Sequence, residues 1–392
     1  MNETTRQFIR EHLNDDVPTL ALKKVPVGTD LSLALRQIEA RQLLQKKVPI
    51  WSQNDDLLFP VRLSIEQCSS EATAQYKAAL LQGETFADLT GGLGIDTYYI
   101  NGAHSFLHAD YVERQTKLCE LAKHNFTVLD ADVQVWNETA EEYLSHCDPV
   151  DCIYLDPARR DAHGRKTVSI GDCTPNVVEL QDLLLQKAKQ VMVKLSPMLD
   201  ISKALEELKF VKDIHVVAVS NECKELVFLM ERGFSGQPML HCANLLTAQP
   251  TLDFTMEEER TCPLHLADAP MRYLYEPNVA LMKAGGYKWI SEHFEVFKLH
   301  KNSHLYTSEA LVSDFAGRIF EVESWAEYHN KVKQTLLSDV SKANLAVRNF
   351  PLSVEALRKA LKISEGGEDY LFATTLRDGR KVLIKTRKSA SV

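Results

Sequence analysis

No stretch of this chain limits its fold more than Thr85 to Asp96, which reads TFADLTGGLGID. Phe86, Ala87 and Leu89 form a short apolar run around Asp88. Thr90, Gly91, Gly92, Leu93 and Gly94 then make a turn, and an apolar helix opens near Ile95. Strand, glycine turn and helix in that order is how a parallel α/β sheet presents a nucleotide site. Glycines let the backbone approach a ligand closely and take positive φ without a Cβ clash. Asp88 narrows the choice of ligand. A dinucleotide site rests its pyrophosphate on the helix N-terminus, where a buried carboxylate repels it. A ligand with a cationic amino group and a sulfonium is attracted instead, and S-adenosylmethionine (SAM) has both.

From Thr85 a βαβ rhythm continues, which predicts a parallel sheet covered on both faces. Strands are expected at Phe86–Leu89, Ser105–Ala109, Val133–Val135, Cys152–Leu155, Val191–Leu195, His215–Val219 and Leu226–Met230. The last two follow each other across Ser220–Asn221 without a helix. Such an antiparallel finish departs from the mostly parallel dinucleotide-binding sheet. At 392 residues the chain exceeds what one core usually serves. The expected division is a helical region at 1–70, a nucleotide-site domain at 71–236, a small α+β domain at 237–318 and a final α+β module at 319–392. Within the first region Asp30 reads as a helix N-cap, Pro49 as the end of that helix, and Ser70 as the cap of the next. In the last module Ser353 caps a helix, and Asp378-Gly379 predicts a type I′ hairpin turn.

Eight cysteines without a CxxC pair or zinc-type spacing read as reduced thiols, with no metal expected. The N-terminus is too polar for a signal peptide, and no apolar run approaches ~18 residues, so a cytoplasmic protein without membrane contact is expected. The net charge is −9, unevenly spread: Ser341–Val392 holds eleven Lys/Arg against five Asp/Glu. A basic tail on an acidic body reads either as an anion-binding module or as a solvated edge.

Further candidate residues follow the strand ends. Glu113, 25 residues beyond Asp88, can accept both ribose hydroxyls, or else partner the dipole of the next helix. Asn137 can bond an adenine amino group or cap a helix. Asp156-Pro157 ends the apolar strand CIYL, and proline holds the preceding residue extended, so Asp156 is presented rigidly beside the methyl group. There it can accept a hydrogen bond or a proton from the group being methylated. Arg159, Arg160, Arg165 and Lys166 follow, with His163 between them; they suit a phosphodiester substrate or are plain loop charges. Ser196, in Lys194-Leu195-Ser196-Pro197, can line the substrate side. A cysteine nucleophile is not expected, since Cys152 lies in a strand and Cys173 in a loop read as distant.

The order Asp88/Gly91/Gly92/Gly94, then Glu113, then Asp156-Pro157 resembles the class I SAM-dependent methyltransferases. The strings EQCSSEATAQYKA, DLTGGLGIDT, DPARRD, VKLSPMLDI, NECKEL, YLYEPN and GGEDYLFATT more closely resemble a bacterial methyltransferase group with a C-terminal THUMP-like domain. That resemblance implies a Rossmann-like seven-stranded α/β core, a ferredoxin-like insert and an RNA-binding THUMP-like end. It also implies that Gln67–Glu71 closes over the methionine part of SAM, with Ser69 or Ser70 near its carboxylate. The sequence departs from the family of amino-directed enzymes in one respect. Arg159 stands where their NPPY-like or DPPY-like strings carry an aromatic residue, which leaves the methylated atom open. The reading is a SAM-dependent methyltransferase acting on structured RNA, rRNA or tRNA. The alternatives are an RNA-binding protein with a vestigial pocket, a methyltransferase for protein or a small molecule, and an NAD-linked enzyme.

Overall fold

The structure is a computed structural model that describes residues 1–104, 106–158, 169–329 and 331–389. The chain divides into two compact units. The first holds Met1–Ile214 with Glu225–Gly236, and the second holds His215–Lys224 with Gln237–Val392.

The first unit is built on β1 (Thr85–Asp88), β2 (His108–Val112), β3 (Gln134–Trp136), β4 (Val150–Leu155) and β5 (Ala188–Leu195), with β6 (Val211–Val219) as far as Ile214 and β7 (Glu222–Glu231) from Glu225 onward. Their order is β3-β2-β1-β4-β5-β7-β6. The first five run parallel, while β7 is antiparallel to β5. This is the α/β core with a hairpin finish that the sequence predicts. The second strand lies three residues later than expected, at His108–Val112. Glu113 therefore follows the strand directly.

The N-terminal helices belong to this same unit. Leu44, Trp51, Phe59, Ile65 and Ala74 pack on Leu93 and Ile95, the residues that follow the glycines. Burying the larger of these side chains stabilises by about 1.5–3 kcal/mol each, so the helical layer holds the turn in place. Arg41 is buried in this layer. It donates to the carbonyls of Ser52, Asn54 and Leu57 at 2.8–2.9 Å, closing the loop that leads to Phe59. Asp30 caps the helix Leu31–Leu44 as expected. Pro49 does not end that helix but starts the next one, Pro49–Gln53, where its missing N–H costs nothing.

The second unit pairs β8 (Met239–Leu245) with β9 (Leu252–Thr255). It also carries a seven-stranded sheet of β10 (Tyr273–Pro277), β11 (Phe297–Lys298), β12 (Tyr306–Ser308), β13 (Gly317–Glu327), β14 (Asn344–Arg348), β15 (Asp369–Thr375) and β16 (Lys381–Lys388). The order is β11-β12-β10-β13-β16-β15-β14, with only β14 and β15 parallel. Because β10 pairs with β13, the middle and final stretches of the chain share one sheet. The β15–β16 turn is not type I′. Only Gly379 has positive φ, and its N–H bonds the Leu376 carbonyl at 2.9 Å, the pattern of a type I turn followed by a left-handed glycine.

Candidate active site

The strand order reverses between β1 and β4, and open α/β sheets bind ligands at that point, outside the carboxyl ends of the strands. The sheet delivers Asp88 from β1, Glu113 from β2, Asn137 from β3, Asp156 from β4 and Lys194 with Ser196 from β5 to that edge.

The glycine turn is shaped by packing as well as by access. A Cβ on Gly91 would lie 2.1 Å from the Tyr111 ring, and one on Gly94 (φ +83°) 2.8 Å from the Phe126 ring. Gly92 differs: a Cβ there meets nothing closer than 3.6 Å, but its φ of +55° favours glycine. Tyr111 Oη donates to the Gly92 carbonyl at 2.7 Å. The turn is thus pinned by the Tyr111 and Phe126 rings, with room for a Cβ only at Gly92.

Asp88 is buried at its foot. Its Oδ1 accepts from Thr90 N at 2.9 Å, and its Oδ2 accepts from Thr97 Oγ1 at 2.7 Å. Burial pushes its carboxyl up to about 7, overcoming those two hydrogen bonds, with Asp96 and Asp156 adding like charge. Glu113 is also buried, and accepts from Gly92 N at 3.2 Å and Gln115 N at 2.8 Å. Asn137 donates to the Glu113 carbonyl at 2.9 Å and accepts from Thr116 Oγ1 at 2.8 Å. It does not cap the following helix; Thr139 does, in a capping box with Glu142.

Ser70 is the N-cap of the helix Glu71–Ala78, in a capping box with Thr73. Ser69 enters a buried ionic cluster instead. Its Oγ donates to Asp96 Oδ2 at 2.7 Å and accepts from Lys77 Nζ at 3.0 Å. Lys77 is fully buried and pairs with Glu225 at 2.8 Å and Asp96 at 3.1 Å, while Tyr154 Oη donates to Asp96 at 2.9 Å. Despite burial, Lys77 and Lys194 hold the Asp96 carboxyl below its usual range. Burial moves Glu225 the other way.

Asp156 pairs through Oδ2 with Lys194, and its amide donates to Thr90 Oγ1 at 2.6 Å. Burial works against the Lys194 charge, but Asp156, Glu225 and Asp96 outweigh it and hold its pKa above the ordinary value. Pro157 leads to Ala158, which bridges Thr174 through two backbone bonds of 2.8 and 3.0 Å. Cys173 is therefore a neighbour of this strand end and not in a distant loop; it is buried. Ser196 Oγ accepts from Met198 N at 3.1 Å. Arg159, Arg160, His163, Arg165 and Lys166 lie outside the described residues.

Thr90, Thr97, Lys77, Tyr154, Lys194 and Glu225 lie within strings the sequence points out, but none of them stands out there as a site residue. A signal exists for three of them. Lys77, Lys194 and Glu225 each interrupt an apolar face or run, in YKAAL, VMVKL and KELVFLM, and a charge there needs a buried partner.

The chain is 36% identical to the crystal structure of a protein designated a methyltransferase from Porphyromonas gingivalis W83, with 98% of each chain covered and a TM-score of 0.88. The chain belongs to that methyltransferase family. Within this methyltransferase, residues 273–315 match the family described as a ferredoxin-like domain, and 317–388 the one described as THUMP domain-like. Two more distant structures cover parts of it. The tRNA (uracil-54, C5)-methyltransferase of Pyrococcus abyssi, in complex with S-adenosyl-L-homocysteine, is 16% identical over 45% of this chain and 40% of its own, with a TM-score of 0.31. An RNA methyltransferase designated PH1948 from Pyrococcus horikoshii is 12% identical over 50% and 99%, with a TM-score of 0.36. Comparison with curated proteins finds no match. Among the described residues no helix of the methyltransferase is long and apolar enough to cross a membrane, and no His/Cys/Asp/Glu group is arranged to hold a metal.

Proposed function

We propose that this methyltransferase uses SAM to methylate a base in structured RNA. The observation that carries the cofactor is a charge imbalance at the strand ends. Four carboxylates, Asp88, Asp96, Asp156 and Glu225, are gathered with two lysines, and both lysines are already paired with the other three acids. Among the described residues Asp88 has no cation of its own, so a positively charged ligand fits beside it and a pyrophosphate does not. The glycine turn above it offers the close backbone approach such a ligand needs.

When bound, SAM supplies an electrophilic methyl group on a sulfonium. Asp88 receives its cationic end, and Ser69 or Ser70 lies near its carboxylate. Glu113 accepts the ribose hydroxyls on lone pairs left by Gly92 and Gln115. Asn137, which bonds the Glu113 carbonyl, borders the adenine. Asp156, held extended by Pro157, accepts a hydrogen bond from the group to be methylated. Positioning of this kind supplies most of the rate in a direct displacement. Ser196, Arg159 and Arg160 take the substrate side. The THUMP-like match and the excess of Lys/Arg after Ser341 support RNA as that substrate.

The test is to incubate the full chain with methyl-labelled SAM and RNA from a strain lacking it, then map the modified nucleotide. Label in one RNA species at one position is expected, and Asp156→Ala abolishes it while SAM still binds. Label in protein or small molecules, with none in RNA, would replace RNA as the substrate.

A further inference from the structure

Resting on the methyl-transfer reading above, the geometry points to Lys194 as a positioning residue: it holds Asp156 in the orientation that faces the methyl acceptor. In the β4–β5 register Leu155 stands opposite Val193, so the next residues, Asp156 and Lys194, project side by side from neighbouring strand ends. The Lys194 side chain is 12% exposed and the Asp156 side chain 33%. The lysine therefore sits inside, and the carboxylate sits at the opening. A solvent-exposed pair would contribute little, but this one is sheltered on the lysine side.

Asp156 is held at two points. Lys194 takes Oδ2 from the β5 side, and Thr90 Oγ1 accepts the Asp156 amide proton at 2.6 Å from the β1 side. Thr90 N in turn donates to Asp88 Oδ1. A continuous chain, Asp88–Thr90–Asp156–Lys194, thus links the carboxylate for the methyl donor to the carboxylate for the methyl acceptor. Oδ1 of Asp156 has no hydrogen bond among the described residues, which leaves one acceptor for substrate. Lys77 pairs directly with Asp96 and Glu225, and Lys194 adds its charge to both; among the described residues the direct ion pair of Lys194 is the one with Asp156.

The test uses the full chain, Lys194→Met and Lys194→Arg, with labelled SAM and RNA from a strain lacking the protein. Misplacing a reacting group by about 1 Å can cost on the order of 100-fold. Lys194→Met is expected to lower kcat by roughly 10- to 100-fold while the SAM Kd and the RNA KM stay within about threefold, and Lys194→Arg restores most of the rate. Unchanged kcat overturns the proposal. So does a joint loss of thermal stability, SAM affinity and rate that arginine does not rescue. A wild-type protein that binds SAM yet labels no RNA counts against the RNA reading instead. The pair is then read directly by NMR: a protected Lys194 ammonium signal that disappears in Asp156→Asn supports the proposal, and its absence in the wild type overturns it.

Discussion

At the residue scale, the buried carboxyl of Asp88 costs the fold stability at neutral pH. Its carboxyl is raised to about 7 in the folded protein from an ordinary 3.8, so the folded state binds its proton more tightly than the unfolded chain does. Stability from this group is therefore highest below about pH 4 and falls as pH rises toward 7, by up to about 1.4 kcal/mol per unit. Asp88→Asn keeps an acceptor for Thr90 N and removes the buried charge. It is expected to melt at a higher temperature than wild type at pH 8, with the gap closing at pH 5; equal melting at both values would show that Asp88 is not destabilising. Gly91→Ala drives a methyl into the Tyr111 ring. Overpacking of this kind costs about 1–3 kcal/mol, measurable as a lower urea midpoint. Asp88, the glycines, Glu113 and Asp156 were legible in sequence because each stands at a strand end, where an apolar run stops. Thr90 and Thr97 were not legible, since what they do is set by a fold that brings them to Asp88 from either side of the turn.

At the element scale, the helix Glu71–Ala78 is joined to β7 by one buried lysine. Lys77→Met leaves Asp96 and Glu225 buried without their cation, and breaking a buried pair in this way costs about 3–5 kcal/mol. Adding Glu225→Gln removes one orphaned charge, so the double variant should unfold at a higher urea concentration than Lys77→Met alone. Strictly additive losses would place the two residues in separate environments. The strands were readable from their apolar runs and the caps at Asp30, Ser70 and Ser353 from their spacing. Pro49 and Asp378-Gly379 were harder, because proline suits a helix start as well as a stop, and Asp-Gly serves more than one hairpin turn.

At the scale of the whole molecule, local periodicity did not foretell that β10 and β13 would join the last two stretches into one sheet. Strand pairing over such separations depends on contacts absent from any short window. The strings NECKEL and YLYEPN illustrate this. Asn221 accepts from Val279 N at 3.0 Å and donates its own N–H to Asn244 Oδ1 at 2.8 Å, so motifs far apart in sequence close on one amide network of the second unit. Arg318, Arg358, Lys359, Lys362 and Tyr370 line a groove of about 820 Å³ in the second unit. Lys359→Glu with Lys362→Glu is expected to weaken RNA binding and to flatten the dependence of log K on log salt by roughly one unit for each phosphate no longer neutralised. An unchanged slope in filter-binding titrations would move the RNA contacts elsewhere. The most direct measurement is calorimetric titration of the intact chain with SAM at pH 6 and pH 8, for wild type and Asp88→Asn. Binding is expected to tighten with pH as Asp88 ionises, and to weaken and lose its pH dependence in Asp88→Asn. No heat with SAM at either pH, together with heat from a nicotinamide dinucleotide, would contradict it.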